Sequence, residues 1–327
     1  MTQDQTSYFA GASDASLTLE DQVERLSRAE TTVLVVGEAG CGKNRVAREL
    51  HARSSRASEP LVEVSLAALS PSLIESELFG HLEGAFTGAV SERAGRFLAA
   101  GAGTLVLDGI EVLDERMQVK LLRVLQERVV EPLGADEGLA VEARIVATAT
   151  PELERRVEAG EYRRDLWYRL AVVVLEVPPL RARQGDLALL VRHLTPGAAA
   201  RLGVAPRSMS AAASARLEAH AWPGNVRELE NALERVHALG GGGEGEITLE
   251  ELDFLCDGKA EGAQDLARAA LARGLSMEDW TRELIRAALA EQRGNKSAAA
   301  RQLGITRRAL DYRLMERLKG REEEESC

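Results

Sequence analysis

Long hydrophobic runs are missing from this 327-residue chain. No apolar stretch approaches the roughly 18–20 residues that a membrane-spanning helix needs, so no membrane partner is expected. The first residues, MTQDQTSYFAGASDASLTLED, are polar and acidic and carry neither a basic start nor an apolar stretch, so no secretory signal is expected. Cysteine is scarce. Cys41, Cys256 and Cys327 lie far apart and form no metal-binding spacing, so they read as free thiols in a reducing, cytoplasmic compartment. Aromatic residues make up only 4%, which leaves Leu, Val, Ile and Ala to build the core. Positive charge is also in deficit: 41 Lys and Arg face 52 Asp and Glu, for a net charge of −11.

That balance alone argues against a nucleic-acid binder, but the way the charge is distributed argues for one. Between residues 284 and 321, ten basic residues face three acidic ones, a local excess of +7. A concentrated basic segment is the footprint that DNA binding requires, whatever the total charge. Residues 322–327 then form a short acidic, solvated tail.

Along the chain, residues 1–15 read as a disordered N-terminal tail. A helix is expected at about 17–28, followed by a buried strand at 32–36. Further β-type runs occur at 61–64, 104–107, 144–148 and 172–177, with helical patterns between them at 45–54, 117–127 and 188–194. Strands alternating with helices predict an α/β domain over 16–177, with a mainly parallel sheet covered on both faces. After Pro178-Pro179 the pattern becomes purely helical to about 255, with a glycine-rich loop at 240–245. This predicts a small helical domain over 178–255. Residues 256–275 read as a linker, and 276–321 as an all-α terminal domain.

The most specific signal is Gly37-Glu38-Ala39-Gly40-Cys41-Gly42-Lys43, which fits GxxxxGK between a buried strand and a helix. The glycines let backbone N–H groups curl around phosphate oxygens, and the helix N-terminus adds a favourable dipole. Lys43 would reach the β- and γ-phosphates of ATP. The Ser or Thr that usually follows the lysine is replaced by Asn44, so the contact to Mg²⁺ is expected to come from elsewhere. Cys41 reads as inert. A second, weaker signal is Leu105-Val106-Leu107-Asp108, an apolar strand ending in an acid, where Asp108 would hold Mg²⁺ directly or through water.

Residues 77–89 read ELFGHLEGAFTGA. Here the sequence resembles the bacterial sigma-54-dependent transcription activators, in which Gly84-Ala85-Phe86-Thr87-Gly88-Ala89 matches the loop that contacts sigma-54 in the polymerase. Two glycines around a Phe-Thr pair point to a mobile, exposed tip, and an exposed Phe86 needs a partner. Other matches run in order at 75–81, 103–108, 162–170, 178–183 and 222–231, and the resemblance covers about 16–320. It implies an AAA+ α/β domain with a helical lid. It also makes Arg163 and Arg169 arginine fingers, which stabilise charge on a phosphoryl group bound by a neighbouring subunit. Arg227 corresponds to the sensor arginine of the lid. The implied assembly runs from a homodimer to a hexameric ring, or a mixed ring.

The chain departs from the family where water is activated. Family members carry Asp-Glu at the end of the second motif; here the pair is Asp108-Gly109. Loss of such a base typically costs about 10²–10⁴ in rate. The asparagine that restrains this glutamate corresponds to Ser65, and the sensor Thr-Asn pair to Ala149-Thr150. Glu111 would substitute only if the turn after the strand aimed it inward.

Residues 297–310, SAAARQLGITRRAL, read as helix, Gly turn, helix, with Thr306 as an N-cap and Leu310, Leu314 and Leu318 as a buried stripe. Arg307, Arg308, Asp311 and Tyr312 then sit near the start of the second helix, where base-edge contacts arise, and Lys296 and Thr306 join them as candidates. The segment resembles the Fis-type helix-turn-helix of the same activators, with the helix at about 278–292 as its dimer contact. Two functions compete. One is an ATP-driven activator that binds enhancer-like DNA and remodels the sigma-54 RNA polymerase holoenzyme. The other is a hydrolysis-deficient nucleotide- and DNA-binding regulator. No receiver or sensing domain is expected ahead of residue 16, so control would come from a partner, from expression level, or from nothing.

Overall fold

The computed structural model describes residues 11–86, 91–240, 245–256, 281, 284–289, 292 and 295–310. The chain divides into two compact units after Asp253. In the first, α1 (Asp14–Ser27) leads to β1 (Val33–Val36), α2 (Lys43–Ala52), β2 (Leu61–Ser65) and α3 (Pro71–Phe79). Two short strands, β3 (Gly80–His81) and β4 (Arg93–Ala94), precede α4 (Arg96–Ala99), β5 (Thr104–Asp108) and α5 (Glu115–Glu127). Then come β6 (Val129–Val130), β7 (Leu139–Ala140), β8 (Arg144–Ala149), α6 (Glu152–Glu158), α7 (Arg164–Leu170) and β9 (Val173–Glu176). The helices α8 (Asp186–Leu202), α9 (Ala211–Ala219) and α10 (Asn225–Leu239) close the unit.

Five strands form one parallel sheet in the order β2-β5-β8-β1-β9. The sequence alternation along each strand sorts side chains between its two faces. Leu34, Leu105, Leu107, Ile145 and Ala147 join one buried cluster with residues of α3, α5, α6 and α7. Val33, Val35, Val106 and Val146 join a second cluster with Leu19 and Val23 of α1 and Val46 and Leu50 of α2. With both faces covered, the strands read as near-continuous apolar runs, and all six residues of β8 are buried. Parallel strands bring all their C-terminal ends to one edge, and the loops that carry the candidate site leave from that edge.

In the first unit the expected strands and helices are present, with shifted ends; residues 278–280, 282–283 and 290–291 of the helix expected at about 278–292 lie outside the described residues. α5 starts at Glu115, two residues early, because the Asp114 carboxylate accepts the Met117 N–H at 2.8 Å and caps the helix. α8 runs on to Leu202 through Pro196. α1 starts at Asp14 rather than near 17, and residues 13–15 belong to the fold rather than to the expected tail. Ser13 is its N-cap, and the Ser13 backbone N–H and hydroxyl donate to the Asp186 carboxylate at 2.9 and 2.8 Å. The Ser16 hydroxyl and Arg183 Nε also donate to that carboxylate, which is fully buried. The rest of the expected tail, residues 1–10, lies outside the described residues.

Two features were not anticipated. The antiparallel pairs β3–β4 and β6–β7 are two residues per strand, too short to show a period. The region after residue 178 is not purely helical either: Met209 and Ile247 form an isolated parallel bridge. Among the described residues of the second unit, α11 (Lys296–Gln302) is capped by Asn295, whose side chain accepts the Ser297 and Ala298 N–H groups. Gly304 takes φ +66° at the turn, Thr306 caps the next helical segment through the Ala309 N–H, and residues 307–310 are helical. Leu310 is fully buried with Ile285, Ala288, Ala299 and Ala300. Leu314, Leu318, most of the expected linker and the acidic tail lie outside the described residues.

Candidate functional site

The loop between β1 and α2 has the geometry of a phosphate cradle. Gly40 and Gly42 take φ +75° and +105°, a region that other residues rarely adopt. A Cβ on Gly40 would lie 2.2 Å from the Gly224 carbonyl oxygen, whereas at Gly42 it would meet nothing within 4 Å among the described residues, so the backbone there is open. Lys43 Nζ donates to the Gly37 and Glu38 carbonyls at 2.7 and 3.0 Å, which holds the ammonium over the loop. Cys41 points the other way, into the core, and burial pushes its thiol up, consistent with an inert side chain. Asn44 changes the sequence-based expectation about metal. Its Oδ1 is buried and has no hydrogen-bond partner among the described residues, so an amide oxygen is available where the usual hydroxyl is absent.

Glu38 faces the lid rather than the cradle. Its carboxylate makes a two-pronged pair with Arg181, at 2.7 and 2.5 Å, and accepts the Asn225 amide at 3.1 Å. The Arg181 guanidinium is the main reason that its carboxyl is held down to about 2. The buried Asn225 also donates to the Ala39 carbonyl at 3.1 Å and accepts the Leu180 N–H at 2.7 Å. The Val226 and Arg227 N–H groups donate to the Gly40 carbonyl at 3.0 and 3.3 Å. The start of α10 is thus bonded directly to the loop, and Arg227 sits beside Gly40 with its side chain exposed. Nothing in the sequence marked this latch, because Glu38 and Arg181 are 143 residues apart.

At the end of β5, Asp108 Oδ1 accepts the Thr148 hydroxyl at 2.6 Å. Gly109 follows at φ +79°, and its N–H points at the Thr148 carbonyl and hydroxyl at 3.1 and 3.2 Å. Glu111, in the turn beyond, is only partly spoken for. Its Oε1 accepts the Thr150 N–H at 3.2 Å, its carbonyl accepts the Arg156 guanidinium, and its Oε2 is buried without a partner among the described residues. Burial, and then the Glu111 charge, push the nearby Tyr162 phenol well up. Glu111 is therefore bonded to the end of β8 and lies near Tyr162 and Arg156. Ser65 sits beside Asp108 in register on β2, and Ala149 is fully buried.

Arg163 is the N-cap of α7 and Arg169 lies in its last turn. The Arg163 guanidinium pairs with Asp165 at 2.7 Å and is 39% exposed, which leaves it open to a neighbouring molecule. Arg169 Nε and Nη2 both donate to the Leu125 carbonyl, at 3.0 and 2.9 Å.

The GAFTGA segment springs from α3 and β3. Its base is fixed: the Leu82 N–H donates to the Leu133 carbonyl at 2.9 Å, and the Ser76 hydroxyl lies 2.8 Å from His81 Nδ1. Glu75 on α3 takes Lys120 at 2.5 Å and Arg116 at 2.9 Å, while Glu77 takes Arg96 and Arg93. Gly84 takes φ +77° with nothing within 4 Å of an added Cβ among the described residues, Ala85 is half-buried, and Phe86 is 45% exposed with its ring edge against His81. Thr87, Gly88 and Ala89 lie outside the described residues. In the second unit, Lys296, Thr306, Arg307 and Arg308 are all exposed, and Asp311 and Tyr312 lie outside the described residues.

Comparison with known proteins bears on all three regions. Residues 9–176 match the sigma-54 interaction domain, 181–269 the AAA+ ATPase lid domain, and 276–316 the bacterial regulatory protein, Fis family. The chain is 44% identical over 304 residues to the C4-dicarboxylate transport transcriptional regulatory protein DctD of Pseudomonas aeruginosa, covering 93% of this chain and 63% of that one. It is 43% identical to the transcriptional regulatory protein ZraR of Escherichia coli, covering 92% and 67%. The chain thus spans about two thirds of the length of these relatives. Crystal structures of NtrX from Brucella abortus share its fold. The form in complex with ATP is 32% identical, with a TM-score of 0.71 over 96% of this chain and 70% of that one. No helix among the described residues is long and apolar enough to cross a membrane.

Proposed function

Given that the chain belongs to the family of sigma-54-dependent transcription regulators, we propose that it binds ATP with Mg²⁺, engages sigma-54 polymerase through residues 84–89 and DNA through its second unit, and turns ATP over slowly. The open cradle at Gly42, the Lys43 ammonium and the orphaned Asn44 Oδ1 support the nucleotide. Asp108 and Asn44 would hold the metal, which when bound neutralises phosphate charge. Lys43 would draw on the β- and γ-phosphates, and the amides of residues 40–43 would take their oxygens. Arg163 and Arg169 would serve a neighbouring subunit's nucleotide, for which Arg163 is already exposed.

The observation that carries slow turnover is the end of β5. Gly109 has no side chain to orient water, its backbone is left-handed, and Glu111, the nearest alternative, is bonded to Thr150. Such a subunit could still lend fingers, DNA contacts and polymerase contacts to a ring of its own copies or to a mixed ring. One observation favours the opposite reading, an ATP-driven activator: Glu111 Oε2 is buried and unpartnered, as a base awaiting a water would be.

Binding is tested by calorimetry with ATP. Lys43→Ala should abolish the heat without unfolding the protein, and equal affinity of the two proteins would overturn the nucleotide site. In a pull-down with sigma-54, Phe86→Ala should lose retention while keeping ATP affinity. Undiminished retention would remove the loop from the interface.

A further inference from the structure

The geometry points to Thr148 as a positioning residue that holds Asp108 for magnesium, an inference that rests on the nucleotide-binding reading above. β5 and β8 are paired in parallel with Asp108 opposite Thr148. Directly paired residues project to the same face of a sheet, so the two side chains meet at its C-terminal edge. A threonine hydroxyl has one hydrogen to give and lone pairs to receive with. Here the hydrogen goes to Asp108 Oδ1 at 2.6 Å, and the oxygen accepts the Gly109 N–H at 3.2 Å. The result is a directed chain from the Gly109 amide through the Thr148 hydroxyl to the carboxylate, in which each bond polarises the next.

This arrangement has a consequence for the metal. With Oδ1 bound to Thr148, Asp108 Oδ2 has no hydrogen bond among the described residues and is the oxygen left to a hard cation or its water. A free aspartate could turn about its two side-chain torsions; the hydroxyl fixes it in one orientation. Thr148 is fully buried, so its hydroxyl has no water to fall back on, and the bond to a charged acceptor belongs to the stronger class. The placement is also specific to this sequence's rearranged strand end. The sensor positions 149 and 150 hold Ala and Thr; Ala149 has no hydroxyl, and Thr150 meets Glu111 through its backbone. The hydroxyl that reaches the acid comes from one residue earlier.

The test measures affinity of the full chain for ATP in Mg²⁺ and in EDTA. Thr148→Val keeps the shape and removes the hydroxyl; Thr148→Ser keeps the hydroxyl. The expected result is a loss of roughly ten-fold for Thr148→Val in Mg²⁺, no change in EDTA, and wild-type behaviour for Thr148→Ser. If Thr148→Val retains the full gain from Mg²⁺, or loses affinity equally in EDTA, the inference is overturned. It is overturned as well if wild type gains nothing from Mg²⁺. Should Thr148→Val fail to fold, the decision passes to Thr148→Ala measured in the same way. A wild-type protein that binds no ATP in either buffer would instead sink the nucleotide-binding reading itself.

Discussion

Gly109→Glu supplies a carboxylate at the strand end that, on the proposed reading, lacks a group to orient water, and the local backbone sets the cost. The backbone at Gly109 has φ +79° and ψ 52°, the left-handed region, where a residue with a Cβ is strained by about 1–2 kcal/mol. Space is not the obstacle, because among the described residues, chain neighbours aside, the new Cβ would meet only the Ala67 Cβ within 4 Å, at 3.9 Å. The cost is therefore conformational, and for a unit of this size it should lower Tm by roughly 2–8 °C. A fully aligned base would restore about 10²–10⁴ in rate. The Cβ would start out toward Ala67, and Ser65, Ala149 and Thr150 would remain unchanged, so a rise of about ten-fold is expected instead. Phosphate release at saturating ATP, with Gly109→Ala as a control that carries the strain but no carboxylate, separates the two effects. If folded, ATP-binding Gly109→Glu turns over no faster than Gly109→Ala, then Gly109 is not what limits the reaction.

Asp186→Ala should cost about 3–5 kcal/mol in urea unfolding, because it strands the buried Arg183 guanidinium and frees Ser13 and Ser16 from α8; a loss under about 1 kcal/mol would show that the clasp at the start of α1 is not stabilising. Glu38 has a folded pKa of about 2 against an ordinary 4.5, so its contribution to stability is complete above pH 4.5 and disappears as pH falls toward 2. The Tm gap between wild type and Glu38→Gln should therefore be present at neutral pH and close across that acid window; a gap that is constant with pH would contradict the ion-paired latch. Arg308→Ala should weaken binding to a duplex enriched from a randomised pool by about 1–3 kcal/mol, or relax its sequence preference. If a chain ending at residue 270 binds that duplex as tightly as the full chain, the second unit is not the DNA-binding element.

The parts that could be read from the sequence are those whose physics is local. The apolar runs of β1, β5 and β8 declare a buried parallel sheet, and Gly40 and Gly42 mark where the chain must turn with positive φ. Asn295, Gly304 and Thr306 similarly punctuate the helix-turn-helix. The hidden parts are pairings between residues far apart in the chain. Glu38 with Arg181, Ser13 with Asp186, and Asp108 with Thr148 leave no period or spacing to detect. The same holds for Arg144, a buried arginine inside an apolar strand, whose guanidinium caps the end of α1 through the Leu26 and Ser27 carbonyls. Asn44 is intermediate. Its identity announced a missing hydroxyl, but only the fold revealed a buried amide oxygen in its place.

A phosphate cradle joined to a strand end with no side chain at Gly109 should bind ATP yet turn it over slowly. That combination is read from ATP affinity and steady-state hydrolysis measured on the same wild-type protein over a broad protein concentration series. The expected result is Lys43-dependent binding with turnover about 10²–10⁴ below that of a protein retaining an Asp-Glu pair there, at every concentration. Turnover equal to that protein's, abolished by Glu111→Gln, would contradict it and make Glu111 the base.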